Sequence, residues 1–145
     1  MSLIATLLQH RCSDEGESRD RTRILEFVGR HADPFDRGIA EGHLTGSALV
    51  VSSSGDRVLL LHPTAPRPLD VDVHDIPARG DERAHQHLDL RYLVLAPERA
   101  VAMPNAEESH ALRWFRWDEL ESLDLDPGLV RALAKARTRV PVPAE

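Results

Sequence analysis

The apolar positions change period several times along the chain, and each change predicts an element. Leu3, Ile4, Leu7 and Leu8 fall at i, i+1, i+4 and i+5 behind Ser2, the spacing of one apolar face on a short serine-capped helix. The polar stretch Ser13 to Asp20, which holds Gly16, reads as a loop. A second helix then turns Ile24, Leu25, Phe27 and Val28 inward and stops at Gly29 and Pro34. His43 to Val51 carries β-branched residues between turn residues and reads as a strand; Ser53-Ser54-Gly55-Asp56 reverses it into a partner over Arg57 to Leu61. Both strands of this hairpin read as largely buried.

After His62 the pattern breaks. Pro63, Pro66 and Pro68 exclude a helix interior or a central strand, so a connection lies here. Leu69 to His74 then alternates strictly, with Leu69, Val71 and Val73 on one face and Asp70, Asp72 and His74 on the other. Ile76 to Ala84, with Pro77 and Gly80, is turn-like, and His85 to Leu95 alternates again with Leu88, Leu90, Tyr92 and Val94 on one face. A short strand over Ala111 to Phe115 runs into Trp117-Asp118-Glu119-Leu120. Asp126-Pro127 caps a last amphipathic helix through Leu129, Val130, Leu133 and Ala136, and Pro141 and Pro143 end it.

A length of 145 residues, 41% of them apolar, suits one core. The balance of 18 basic and 24 acidic side chains gives a net charge of −6, which argues against a nucleic-acid partner. No apolar run approaches the roughly twenty residues of a membrane span, and the first nine residues lack a basic start and a cleavage site, so we expect a soluble, cytoplasmic protein without a membrane partner. Cys12 is the single cysteine and has no second thiol to pair with. Lys135 is the only lysine among the 18 basic residues, a bias that reads as genomic composition.

The two alternating strands are the main candidate for chemistry. A short connection makes them antiparallel neighbours whose polar faces coincide. In one register His74 lies opposite His87, Asp72 opposite Asp89 and Asp70 opposite Arg91; a one-pair shift sets His74 against His85 and Asp72 against His87. Three histidines, three carboxylates and an arginine on one sheet face could bind a divalent metal or a phosphate group. The same alternation also describes the solvated side of any two-faced sheet. Glu107-Glu108-Ser109-His110 is a paired-carboxylate run that either serves a metal or water or forms a charged surface turn. Trp114, Phe115 and Trp117 read as packing residues and His43, between Gly42 and Gly46, as structural. The chain contains no nucleophile elbow, phosphate loop, dinucleotide fingerprint or zinc-ligand spacing.

Taken in order, Gly42-His43-Leu44-Thr45-Gly46 to Val51, Val58 to His62, Leu69 to Pro77, His85 to Ala96, and Glu108-Ser109-His110 to Leu120 resemble a Nudix hydrolase of the bacterial type with an N-terminal helical extension. The resemblance runs from about Ile24 to Leu133 and implies an α/β fold: a Nudix-like mixed sheet with flanking helices. Residues 1–41 would form the extension and residues 42–140 the Nudix-like domain. The family's signature is a glycine, five residues, a glutamate, seven residues, Arg-Glu, two residues, Glu-Glu, any residue and glycine, and its glutamates hold catalytic magnesium. This chain has no Arg-Glu dipeptide, and its only Glu-Glu is Glu107-Glu108, after the strands. The expected position of the signature, near residues 62–68, holds only the proline-rich connection, which reads as an internal deletion of the central catalytic helix.

The resemblance implies hydrolysis of a nucleoside diphosphate linked to another group, impaired or lost here, or a catalytically silent binding or structural module. It implies a small nucleotide-like ligand, with His74, His85, His87, Asp89 and Arg91 near the substrate cleft and Glu108 at a position where some members place an extra catalytic acid. Magnesium, the family's cofactor, is expected to bind weakly or not at all without the glutamate helix. A deleted core helix would expose apolar sheet surface, so a homodimer is also expected.

Overall fold

The computed structural model describes residues 2–52, 54–55, 57–61, 67–96 and 114–140. Helix α1 spans Leu3–Gln9, with the Ser2 hydroxyl accepting from the Ala5 N–H. Its buried face is narrower than the periodicity suggests, because Leu7 is buried while Ile4 and Leu8 are exposed. Helix α2 spans Glu15–Arg30 and therefore absorbs most of the polar stretch expected to be a loop. The reason is local: the Asp14 carboxylate caps the Glu17 N–H at 2.8 Å, and Glu15 and Glu17 in the first turn favour the positive end of the helix dipole. Ile24 and Phe27 are the buried residues of its apolar stripe, with Leu25 and Val28 packed beside them.

Five strands follow: β1 (Gly42–Ser52), β2 (Arg57–Leu61), β3 (Asp70–Ile76), β4 (His85–Ala96) and β5 (Phe115–Arg116). They form one mixed sheet in the order β3-β4-β1-β2-β5. The β1/β2 hairpin is antiparallel, as the turn residues require, and pairs Val51 with Val58. β3 and β4 are antiparallel in the first of the two registers, with His74 opposite His87, Asp72 opposite Asp89 and Asp70 opposite Arg91. The two pairs are joined by a parallel ladder between β1 and β4 that sets His43 beside His87, Thr45 beside Asp89 and Ser47 beside Arg91. Gly42, at φ 152°, opens β1 where a side chain would run into the Gln86 carbonyl. Of the expected strand over Ala111 to Phe115, residues 111–113 lie outside the described residues, as do residues 62–66 of the proposed deletion point and the tail beyond 140.

Helices α3 (Trp117–Leu120) and α4 (Pro127–Arg139) complete the fold, α4 beginning at the Asp126 cap that its Asp-Pro pair predicts. One sheet face packs Leu44, Val71, Leu88 and Leu90 against Leu7, Ile24 and Phe27 of α1 and α2. The opposite face packs Leu49, Val51 and Leu93 against Ala132, Leu133 and Ala136 of α4. The chain is thus a mixed α/β fold with helices on both faces of the sheet. No described helix is long and apolar enough to cross a membrane.

Candidate functional site

The pairings on either side of β4 turn the polar positions into a three-by-three grid: His43, Thr45 and Ser47 on β1, His87, Asp89 and Arg91 on β4, and His74, Asp72 and Asp70 on β3. The grid is not a uniform solvated surface. Asp70, Asp72, Asp89 and Arg91 are all less than a tenth exposed, so the two-faced-sheet reading fails for them. The cause is α4, whose first turns lie over this part of the face. Arg131 grips Asp70 with two hydrogen bonds of 2.9 Å and also donates to the Val71 carbonyl. Lys135 reaches Asp70 at 2.9 Å and continues to Glu17 of α2. Gly128 permits this approach, because a Cβ there would collide with Asp72 and the Arg91 guanidinium. Buried charges survive when each meets an opposite charge, and these do, although the buried Arg91 Nη1 is left without a hydrogen-bond partner among the described residues.

Glu17, fully buried, accepts from His10, Lys135 and both the N–H and hydroxyl of Ser13. Burial by itself would raise its carboxyl pKa, but these hydrogen bonds reverse the effect and hold it well below the usual carboxylate range. Cys12 lies near His10 and Glu17, and its thiol is pushed up, first by burial. With the Glu17 oxygens already bonded, this second group works as a strap between α2 and α4.

The other end of the grid lies beyond α4. A cleft of about 530 Å³ opens there, lined on the sheet by His43, Thr45, Ser47, His74, His87 and Asp89, and closed on one side by Phe35 and Arg37 from the loop before β1. Asp89 marks the border between the two ends. It accepts from Thr45 at 3.1 Å, Ser47 at 2.5 Å and the Arg91 Nε at 3.2 Å. Arg91 also donates to Asp72 at 2.8 Å, so it holds Asp89 from below and does not line the cleft. His74 and Asp72 share a 2.9 Å hydrogen bond; that bond outweighs burial and raises the His74 pKa above its ordinary value. Burial would lift the Asp72 carboxyl, yet His74 and Arg91 bring it down.

Four imidazoles crowd at the rim. His43 and His87 have ring centroids 4.8 Å apart, His85 and His87 5.0 Å, His43 and His85 5.2 Å, and His74 and His87 5.6 Å. Burial, reinforced by the neighbouring imidazoles, lowers His43 and takes His87 down to about 4. The histidines of this face therefore do not shift together: His74 is raised, whereas His43 and His87 are lowered.

Of the residues singled out in the sequence, the fold brings His74, His87 and Asp89 to the cleft, His85 to the histidine cluster beside it, and Arg91 underneath. Glu108, with Glu107 and His110, lies outside the described residues. The sequence pattern missed His43, Thr45, Ser47, Phe35 and Arg37. The β1 alternation of His43, Thr45 and Ser47 against Leu44 and Ala48 carried the signal, but only a known β1/β4 pairing makes it informative. Among the described residues magnesium does not suit the cleft: the one lining carboxylate they supply, Asp89, already accepts three hydrogen bonds, whereas a hard cation wants several oxygens. Compared with known proteins, the chain matches no family model and no curated sequence.

Proposed function

We propose that this chain is a Nudix-like domain that binds a small, phosphate-bearing, nucleotide-like molecule in the cleft without the family's magnesium-dependent hydrolysis. The observation that carries the reading is the combination of groups in one cleft. Phe35 is 56% exposed at its rim, where its ring offers a platform for a base. Arg37 and His74 line the same cleft and supply positive charge, and the raised His74 pKa favours its cationic form. Asp89, the carboxylate that lines the cleft among the described residues, already accepts from Thr45, Ser47 and Arg91, which supports the silent binding module. The Nudix resemblance rests on the order of the sequence elements and agrees with the mixed sheet flanked by helices.

The experiment is calorimetric titration of the full chain with ADP and UDP, with and without magnesium, beside a phosphate-release assay over nucleoside diphosphate sugars and dinucleoside polyphosphates. We expect saturable binding that does not require magnesium, weakened about tenfold by Phe35→Ala and by Arg37→Ala, and no phosphate release above background. Magnesium-dependent turnover by the pure chain would restore the hydrolase reading. Absence of binding by both nucleotides would overturn the proposal. The homodimer belongs to the same proposal and is supported by exposed Leu123 and Val130 beside α3 and on α4; a compact monomer in sedimentation at micromolar concentration would remove it.

A further inference from the structure

The histidine cluster carries chemistry that nucleotide binding does not use. His43, His85 and His87 come from two neighbouring strands, and one ring nitrogen of each lies within 4.8 Å of the others. Three ligands on one zinc ion stand about 3.3 Å apart, as follows from bonds of about 2.0 Å at tetrahedral angles, so modest ring rotations close the set.

The second observation is independent of this spacing. His85 is nine-tenths buried, and its Nδ1 lies 2.8 Å from the Arg83 carbonyl. A carbonyl only accepts, so Nδ1 carries the proton and the neutral ring presents a bare lone pair at Nε2. That Nε2 is buried and has no hydrogen-bond partner among the described residues; the Glu82 carboxylate stands 3.8 Å off. A buried acceptor left bare is costly, and a histidine whose Nδ1–H is held by a carbonyl while Nε2 points into a cluster of imidazoles has the arrangement of a metal ligand with its supporting shell in place.

We propose that His43, His85 and His87 form a three-nitrogen site for a zinc-like divalent transition ion, with the fourth position facing the cleft. Imidazole nitrogens suit zinc, nickel, cobalt and copper and do not suit magnesium or calcium. His43 and His87 also line the cleft, which gives the ion a path in and places the fourth position where water or a ligand oxygen can reach it. Depressed basicity of His43 and His87 keeps both rings in the neutral, ligating form at pH 7. Arg37 opposes the ion's charge at His43 and Glu82 offsets it. The site stands on the three rings alone and does not depend on the nucleotide reading.

The test is titration of the full chain with zinc chloride by calorimetry and with cobalt chloride by visible absorption, which distinguishes tetrahedral coordination. One ion per chain is expected, with affinity reduced at least about a hundredfold in His85→Ala and in His87→Ala and unchanged in Cys12→Ser. Nitrogen-detected NMR of the histidine rings in the unaltered protein covers the case in which these variants misfold. There zinc should move the signals of His43, His85 and His87 and leave those of His10 and His31 in place. No saturable binding, binding that persists in folded His85→Ala and His87→Ala, or loss of binding in Cys12→Ser would overturn the site.

Discussion

The two ends of one polar sheet face have opposite fates, although β4 runs through both and the same alternation produces them. At the inner end Asp70, Asp72 and Arg91 lie under α4, and every carboxylate there meets a cation: Arg131 and Lys135 on Asp70, Arg91 and Arg131 on Asp72. At the outer end His43, His85 and His87 face mainly one another, and among the described residues no helix residue lines the adjoining cleft. Charge that is matched by an opposite charge and covered by a helix becomes framework. Polar groups that are crowded with their own kind and left at a cleft keep unspent bonding capacity. The partner elements, and not the strands themselves, decide which part of the face is structure and which part is site.

The largest expected effect breaks the inner end. Arg131→Leu leaves the fully buried Asp70 with Lys135 as its remaining cation, and removing one partner of a buried pair costs about 3–5 kcal/mol. Urea unfolding measures it. The double variant Arg131→Leu with Asp70→Leu should recover part of the loss, since a matched apolar replacement no longer strands a charge. A loss below about 1 kcal/mol in the single variant would mean that the inner end is ordinary surface pairing. Zinc affinity should be the same in all folded members of this series, because none of these side chains belongs to the histidine cluster.

A medium effect sharpens the comparison through pH. Glu17 and Asp72 have folded pKa values below their unfolded ones, so each contributes stability that is present above the unfolded value of about 4 and is lost as pH falls through the folded value. The inner network should therefore fail in acid, below about pH 4. Glu17→Gln keeps the shape of the strap and removes its charge. It should lower stability at pH 7 by about 1–3 kcal/mol and flatten the acid limb, as thermal melts between pH 2 and 7 would reveal. An acid limb as steep as that of the unaltered chain would show that Glu17 does not drive it.

How much of this was legible depends on how local each cause is. Caps and turns are local, so Ser2, Asp126-Pro127 and the Ser53-to-Asp56 reversal marked their elements, and strict alternation disclosed β3, β4 and their antiparallel pairing. The start of α2 was missed because the polar run from Glu15 to Asp20 looks like a loop unless Asp14 is recognised as its cap. Burial of Asp70 and Asp72 was hidden because its cause lies about sixty residues away in Arg131 and Lys135, which on α4 alone look like the solvent side of an amphipathic helix. The sole lysine, unremarkable by composition, is the residue that joins Asp70 to Glu17. The β1/β4 parallel ladder, likewise non-local, is what adds His43 to the site. His74, His85, His87, Asp89 and Arg91 were found from alternation as members of a polar face, but their division into support and site required the helix.

The smallest effect tests the outer end in the absence of metal, with a chelator present. His74 and His87 shift in opposite directions, so they shape stability on opposite sides of the ordinary histidine value. His74 has a raised folded pKa: its contribution is fully present below the unfolded value of 6.5 and disappears as pH rises through the folded value above it. His87 has a folded pKa of about 4, so between that value and 6.5 the unfolded chain binds the proton more readily than the folded one, and stability declines as pH falls through this window. Together they predict a shallow maximum of stability near pH 6.5, separated from the steeper acid loss of the inner network. His74→Gln should remove the alkaline shoulder at a cost of no more than about 1 kcal/mol, since the His74 side chain is about a third exposed and Asp72 keeps Arg91 and Arg131. His87→Phe should remove the decline between pH 4 and 6.5 while keeping a ring in the cluster. If neither variant changes the profile above pH 4.5 in melts taken at half-unit intervals, the histidines are not coupled to folding, and the distinction between a charged framework and a poised imidazole cluster loses its energetic basis.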